Sequence, residues 1–192
     1  QAGDIVAVIG ENGAGKSTFI NLILRLYTPC RGQILINNIN IDNINIHSYR
    51  ENICTVLQTD DLFKGTIEDN ITVYKRYNLP MELLNLNLFS FINKYHSGID
   101  TKIESKSSGV SGGEKQRTAI CRALIYNPDL ILADEPTGNL DSVTSMEVIS
   151  LLKTCAARFH QTVIVVTHQE AIAQMADRIL RVEDGKLYDA EV

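Results

Sequence analysis

Apolar residues along this chain fall into short continuous runs separated by longer stretches with helical spacing, the pattern of a parallel sheet covered on both faces. Residues 4–9, Asp-Ile-Val-Ala-Val-Ile, end at Gly10, and apolar positions recur at helical intervals over 16–26, predicting strand, loop and helix. Runs at 53–57, 130–133 and 163–166 predict three more strands. The last two of these extend over 129–134 and 161–167 and are joined by a helical pattern at 142–159, a βαβ unit. Residues 66–125 read as mostly helical, with segments near 81–95 and 112–126. Near the end, 178–182 and 186–188 flank Glu183-Asp184-Gly185, a hairpin turn. The Asn- and Ile-dense stretch 36–46 is expected to be a short strand and a polar loop. The expectation is an α/β domain with a doubly wound, mainly parallel sheet. Residues 1–65 and 126–192 would form its core, and about 66–125 an inserted helical subdomain.

Composition narrows the function classes. With 192 residues, 44% hydrophobic and 21% charged, the chain can bury one real core. A net charge of -5 argues against nucleic acid as a partner, since phosphate tracking needs clustered Lys and Arg. Cys30, Cys54, Cys121 and Cys155 are widely spaced without a C-x-x-C pair, so neither a zinc site nor a disulfide framework is expected, and a reducing compartment fits. No run approaches the roughly 18 apolar residues of a membrane helix, and the first residues lack signal-peptide character. Direct membrane insertion is therefore not expected, and membrane contact would run through a partner.

Gly10-Glu-Asn-Gly-Ala-Gly-Lys-Ser17 fits G-x-x-x-x-G-K-[ST] in full, between a predicted strand and a predicted helix. Such a loop lets successive backbone N–H groups and the helix start point at phosphate. It places the fold among P-loop NTPases. Lys16 would neutralise the β- and γ-phosphates and Ser17 would ligand Mg2+. A glycine-rich turn that binds nothing needs neither residue. Gly10, Asn12, Gly13, Ala14, Gly15, Lys16, Ser17 and Thr18 are the expected ATP contacts.

The run 130–133 leads directly into Asp134-Glu135-Pro136, which brings two adjacent carboxylates to the end of the sheet where the phosphate loop should lie. Asp134 suits the Mg2+ shell, and Glu135 suits a general base that polarises the attacking water.

Ser111-Gly-Gly-Glu-Lys-Gln-Arg117 opens a predicted helix ahead of the acidic strand and resembles the signature motif of ABC-type ATPases. The order of the flanking motifs strengthens the likeness. Gln58 ends a strand as that family's Q-loop glutamine does, Gly138-Asn-Leu-Asp141 resembles its D-loop, and His168 resembles its switch histidine. The resemblance implies that Ser111, Gly112 and Gly113 reach the γ-phosphate of ATP held by a second ATPase subunit. It further implies that Asp141 lies at that interface, that Gln58 touches Mg2+ or water, and that His168 holds the γ-phosphate. Lys16, Gln58, Glu135 and His168 would then be the catalytic group, and Ser17, Gln58 and Asp134 the metal contacts. Ser111 and Glu114 also satisfy a capping box, which could by itself start the helix. Tyr27, Tyr49 and Tyr74 are expected to be packing residues.

The likeness departs in one respect: only nine residues precede Gly10, and the aromatic that family members place upstream to stack on adenine is absent from them. Either the chain is a fragment of a longer polypeptide, with an unpaired sheet edge, or the adenine is held in some other way. Leu62-Phe-Lys-Gly-Thr-Ile-Glu-Asp-Asn70 resembles exporters whose ATPase is fused to membrane helices, and 104–109 loosely matches the segment they use to contact the membrane part. Thr137-Gly-Asn-Leu-Asp141 and Ala176-Asp-Arg-Ile179 resemble stand-alone ATPases of macrolide and lipoprotein systems instead. The resemblance implies an ATPase at the cytoplasmic face of the cell membrane, paired with a second ATPase subunit and a transmembrane domain. The alternatives are a soluble ATPase of this family acting on ribosomes or DNA, and an ATP-sensing module without turnover. The presence of Lys16, Glu135 and His168 together disfavours the last.

Overall fold

The computed structural model of the chain describes residues 2–58, 61–73, 87–104 and 110–190, the stretch 87–90 by its backbone alone. Tyr74, residues 81–86 of one expected helix and most of the 104–109 segment lie outside the described residues. A six-stranded sheet organises the rest, in the order β10-β9-β1-β8-β7-β4. Its strands are β1 (Ile5–Ile9), β4 (Ile53–Leu57), β7 (Leu130–Asp134), β8 (Thr162–Thr167), β9 (Arg178–Glu183) and β10 (Lys186–Ala190). All neighbours pair in parallel except β9 with β10.

The nearly continuous apolar runs sort by alternation onto the two faces. Ala7, Ile9, Ile131, Ala133, Val163 and Val165 belong to the larger core. It is covered by helix α4 (Gly112–Leu124), helix α5 (Ser142–Phe159) and the short helix α6 (Glu170–Ala173), which supply Ile120, Leu124, Leu152, Ala156 and Ile172. Val8, Leu132 and Val166 point the other way, against Ile20 of helix α1 (Lys16–Ile23) and Val182. Both faces are thus buried, which is why these strands read as unbroken Val, Ile and Leu rather than as alternation.

Most predicted elements match to within a residue. The first helix is shorter than its pattern, ending at Ile23, because Arg25 turns left-handed (φ 52°) and the amides of Leu26 and Tyr27 both fall back onto Asn21 O. The Asn-rich stretch is more ordered than the expected strand and loop. Strands β2 (Leu35–Ile36) and β3 (Ile39–Asn40) form a hairpin whose turn, Asn37-Asn38, is left-handed at both residues. Asn40 then caps a 3-10 turn over Ile41–Asn43, and Asn45 caps helix α2 (Ile46–Glu51). Tyr49 is buried and donates its hydroxyl to Ile23 O at 2.6 Å, a packing role as expected, whereas Tyr27 is exposed.

The described part of 66–125 is less uniformly helical than expected. It holds β5 (Gly65–Thr66) paired with β6 (Lys102–Ile103), helix α3 (Ile67–Thr72), a 3-10 stretch at Asn87–Lys94 in place of an α-helix, a 3-10 turn at Gly98–Asp100, and α4. The segment 62–70 is closed on itself by the fully buried Asn70, which accepts from Phe63 N and donates to the carbonyls of Phe63 and Thr66.

Leu152 is fully buried beneath the sheet. Leu152→Ala is expected to cost about 2–5 kcal/mol of unfolding free energy, read as a lower urea midpoint with an unchanged slope.

Candidate functional site

The register of the parallel strands brings the chemically distinctive residues to one edge. Leu57 pairs with Asp134, Asp134 with Val166, and Val166 with Val8, so four strands end in one row. One step beyond that row stand Gln58, Glu135 and Thr167 with His168, and the phosphate loop leaves β1 beside them. The chain runs from β1 to the far edge at β4, returns through β7 and β8, and passes to the other side of β1 at β9. That reversal of strand order is where α/β sheets open a crevice for ligands.

A cleft of about 490 Å³ lies there, lined by Asn12, Gly13, Gly15, Lys16, Ser17 and Thr18 from the loop and helix start and by Leu57, Gln58, Asp134 and Glu135 from the strand ends. Gly15 sits at φ 112°, a conformation that strains any residue with a Cβ, and it turns the chain directly into α1. Lys16 is buried and donates to Gly10 O at 2.7 Å and Glu11 O at 3.0 Å, so its ammonium is folded over the loop from which it springs. Gly10 and Ala14 line a separate groove of about 860 Å³ behind the loop, together with Phe19, Leu22, Arg181 and Leu187.

The acidic pair is held in two different ways. Burial, then the neighbouring Glu135, push the Asp134 carboxyl above its usual range, and Lys16 only partly offsets them. Glu135 adopts a left-handed backbone (φ 46°), fixed by its N–H donating to Val166 O at 2.8 Å and its C=O accepting from Gly138 N at 3.0 Å. Its side chain is mostly buried, with Oε1 at 2.8 Å from His168 Nδ1, while Oε2 accepts from the buried Thr167 hydroxyl at 3.4 Å. Thr167 was not among the expected site residues; its place directly before His168 at a strand end is the only sequence signal for it.

Gln58 lies over the turn after the acidic pair, in contact so close that a Cβ on Gly138 would stand 2.4 Å from its Nε2. Its backbone carbonyl accepts from Asn139 Nδ2 at 3.3 Å, and the neighbouring Leu57 carbonyl accepts from Gln116 Nε2 at 3.4 Å. Gln116 belongs to α4, so the strand end is tied to the helix that Ser111 starts.

Ser111, Gly112, Gly113 and Asp141 do not line the main cleft. Ser111 is exposed and caps α4 in a reciprocal box with Glu114. Gly112 lines a small pocket beside Gln58 and Pro136. Gly113 is buried against α5, where a Cβ would stand 2.5 Å from Thr144 Cγ2, so one demand for a glycine here comes from packing inside the chain. Asp141 caps α5, accepting from Thr144 N at 3.0 Å and from its hydroxyl at 2.7 Å, and the Thr144 N–H holds its carboxyl below the ordinary range. Ser111 and Gly112 at the start of α4 and Asp141 at the start of α5 are exposed, whereas Gly113 is buried.

The residues present fit a nucleoside triphosphate with a hard cation. Ser17, Gln58 and Asp134 all line the cleft, and each carries an oxygen that can ligate a hard cation. Among the described residues no three His, Cys, Asp or Glu converge on one point, so phosphate oxygens and water would complete the cation's shell.

Residues 1–138 match the family described as ABC transporter. The chain is 38% identical over 195 residues to ABC transporter B family member 29, chloroplastic, of Arabidopsis thaliana, covering 97% of this chain and 30% of that protein. It is 37% identical over 193 residues to a beta-(1→2)glucan export ATP-binding/permease protein of Bartonella bacilliformis, covering 98% and 32% respectively. A bacterial Atm1-family ABC exporter solved with ATP bound superposes with a TM-score of 0.83 at 34% identity, covering 97% of this chain and 33% of that one. The chain therefore spans about a third of the length of these relatives.

Packing at Gly113 can be separated from any ligand role. Gly113→Ala is expected to lower stability by about 1–3 kcal/mol through the clash with Thr144. In a Thr144→Ser background, where Cγ2 is gone, the same change should be neutral or stabilising, since Ala is the better helix former. Urea unfolding of the four proteins in the cycle measures the difference.

Proposed function

The chain belongs to the ABC transporter family, and on that premise we propose that it binds and hydrolyses ATP as the energy-supplying domain of a membrane exporter. The observation that carries this reading is the shared strand-end row, which sets the phosphate loop and Asp134-Glu135 around one cleft, with His168 held against Glu135. Lys16 and the loop N–H groups would hold the phosphates, with Thr18 and Asn12 at the loop's rim. Ser17, Asp134 and Gln58 would hold Mg2+, which when bound supplies charge neutralisation to the phosphates.

Glu135 would take the proton of the attacking water on its carboxylate. Thr167 donates to one oxygen of that carboxylate, and His168, now on the other, would turn toward the γ-phosphate when nucleotide arrives. The helix starts that bear Ser111, Gly112, Gly113 and Asp141 would serve the nucleotide of a second, homologous ATPase domain, so turnover would need two chains. Closure of that pair on ATP and its release after hydrolysis would be a ligand-driven population shift.

The fused ATP-binding/permease organisation named for the Bartonella relative favours a membrane domain joined to this one over a stand-alone ATPase. No described helix is long and apolar enough to cross a membrane. The segment 62–70 and the helical insertion, at about 66–125, would face that membrane domain on the cytoplasmic side.

Glu135→Gln is expected to lower kcat by about 10²–10⁴-fold while leaving ATP binding intact, and to accumulate an ATP-dependent dimer visible by light scattering. Adding Ser111→Arg should return the protein to a monomer that still binds ATP. ATP binding by the Glu135→Gln protein with no change in mass would overturn the two-chain reading.

A further inference from the structure

The first turn of α4 contains an unusual charge. Glu114 is buried, with Oε2 accepting from Ser111 N at 2.7 Å and from the Tyr95 hydroxyl at 3.0 Å, so a carboxylate sits directly beneath the turn that bears Ser111, Gly112 and Gly113. Its one close cation among the described residues is Lys94, whose ammonium pairs with Oε1 from the end of the 3-10 stretch Asn87–Lys94. Burial alone would push this carboxyl up, yet Lys94, Ser111 and Tyr95 outweigh it and hold it below the ordinary range, so it is ionised at neutral pH.

An acidic residue in the first turn suits the helix dipole. It is unfavourable for any anion that must approach the same turn.

We propose that Lys94 is a positioning residue for the assembled site: by cancelling the Glu114 charge it lets the Ser111–Gly113 turn accept the triphosphate held by a second copy of this chain. The proposal rests on the two-chain reading above. It adds a role for a residue outside the phosphate loop, the acidic pair and the glycine turn. Tyr95 and the Ser111 N–H fix the carboxylate geometrically, but only Lys94 removes its charge. Lys94 is half exposed and lies over the Tyr95 ring at 5.1 Å, so Lys94→Arg and Glu114→Gln variants serve to separate its charge from any effect on stability.

The test is ATP-driven association of the Glu135→Gln protein with Mg-ATP, followed by analytical ultracentrifugation at low salt. Lys94→Met is expected to weaken dimerisation about tenfold, without changing ATP affinity at protein concentrations where the chain is monomeric. Lys94→Arg should behave as the parent. Glu114→Gln added to Lys94→Met should restore dimerisation, because the amide still accepts from Ser111 and Tyr95 but bears no charge. Raising salt to about 1 M should shrink the Lys94→Met defect. A purely mechanical bridge would show neither the restoration nor the salt effect, and either absence overturns the proposal, as does a Lys94→Met protein that dimerises like its parent. If the Glu135→Gln parent itself stays monomeric with ATP bound, the two-chain reading fails first and takes this inference with it.

Discussion

The parallel register of β4, β7, β8 and β1 is the constraint on which the rest depends. Because Leu57, Asp134, Val166 and Val8 align across four strands, every chain exit from that edge delivers its next residue to the same crevice. A slip of one residue in any pair would reverse which side chains face each core, so the two buried faces lock the register. The row of candidate site residues is thus a by-product of core packing, and segments separated by more than a hundred positions meet there through the strand pairing, as Val8 and Val166 do.

Within this frame the polar residues carry double duties. Glu135 takes a left-handed backbone to leave the sheet, and the same turn lets Gly138 pass under Gln58. Thr167, buried at the end of β8, donates to Glu135 and accepts from Gln169 N, so the turn into α6 and the orientation of the carboxylate share one hydroxyl. Ser111 caps α4 and Asp141 caps α5, and both are exposed. In each case a local backbone requirement falls on a residue for which a chemical role is proposed, or on its direct hydrogen-bond partner.

The site is also electrostatically unbalanced on its own. Asp134 is driven up by burial and by its acidic neighbour, and the Lys16 ammonium, which hydrogen-bonds loop carbonyls, only partly offsets them. A cleft lined by Asp134 and Glu135 and by the phosphate loop is matched by a phosphate chain carrying its own divalent cation.

The sequence alone determined the elements and the local chemistry. Continuous Val and Ile runs mean strands buried on both faces, and G-x-x-x-x-G-K-S after such a run means a phosphate loop, because these signals depend only on neighbours along the chain. The helix over Ser142–Phe159 and the strand over Ile53–Leu57 were legible to the residue for that reason. The Asn-rich stretch was legible only as polar, since whether an Asn turns left-handed, as Asn37 and Asn38 do, or caps a helix, as Asn45 does, depends on what the flanking residues pack against. Tertiary structure alone decided that Gly113 is needed by Thr144, that Gln116 reaches the carbonyl of Leu57, and that Lys94 and Tyr95 converge on Glu114. Those contacts join segments set apart in the chain, and their geometry is fixed by how the helices settle on the sheet, which no local pattern encodes.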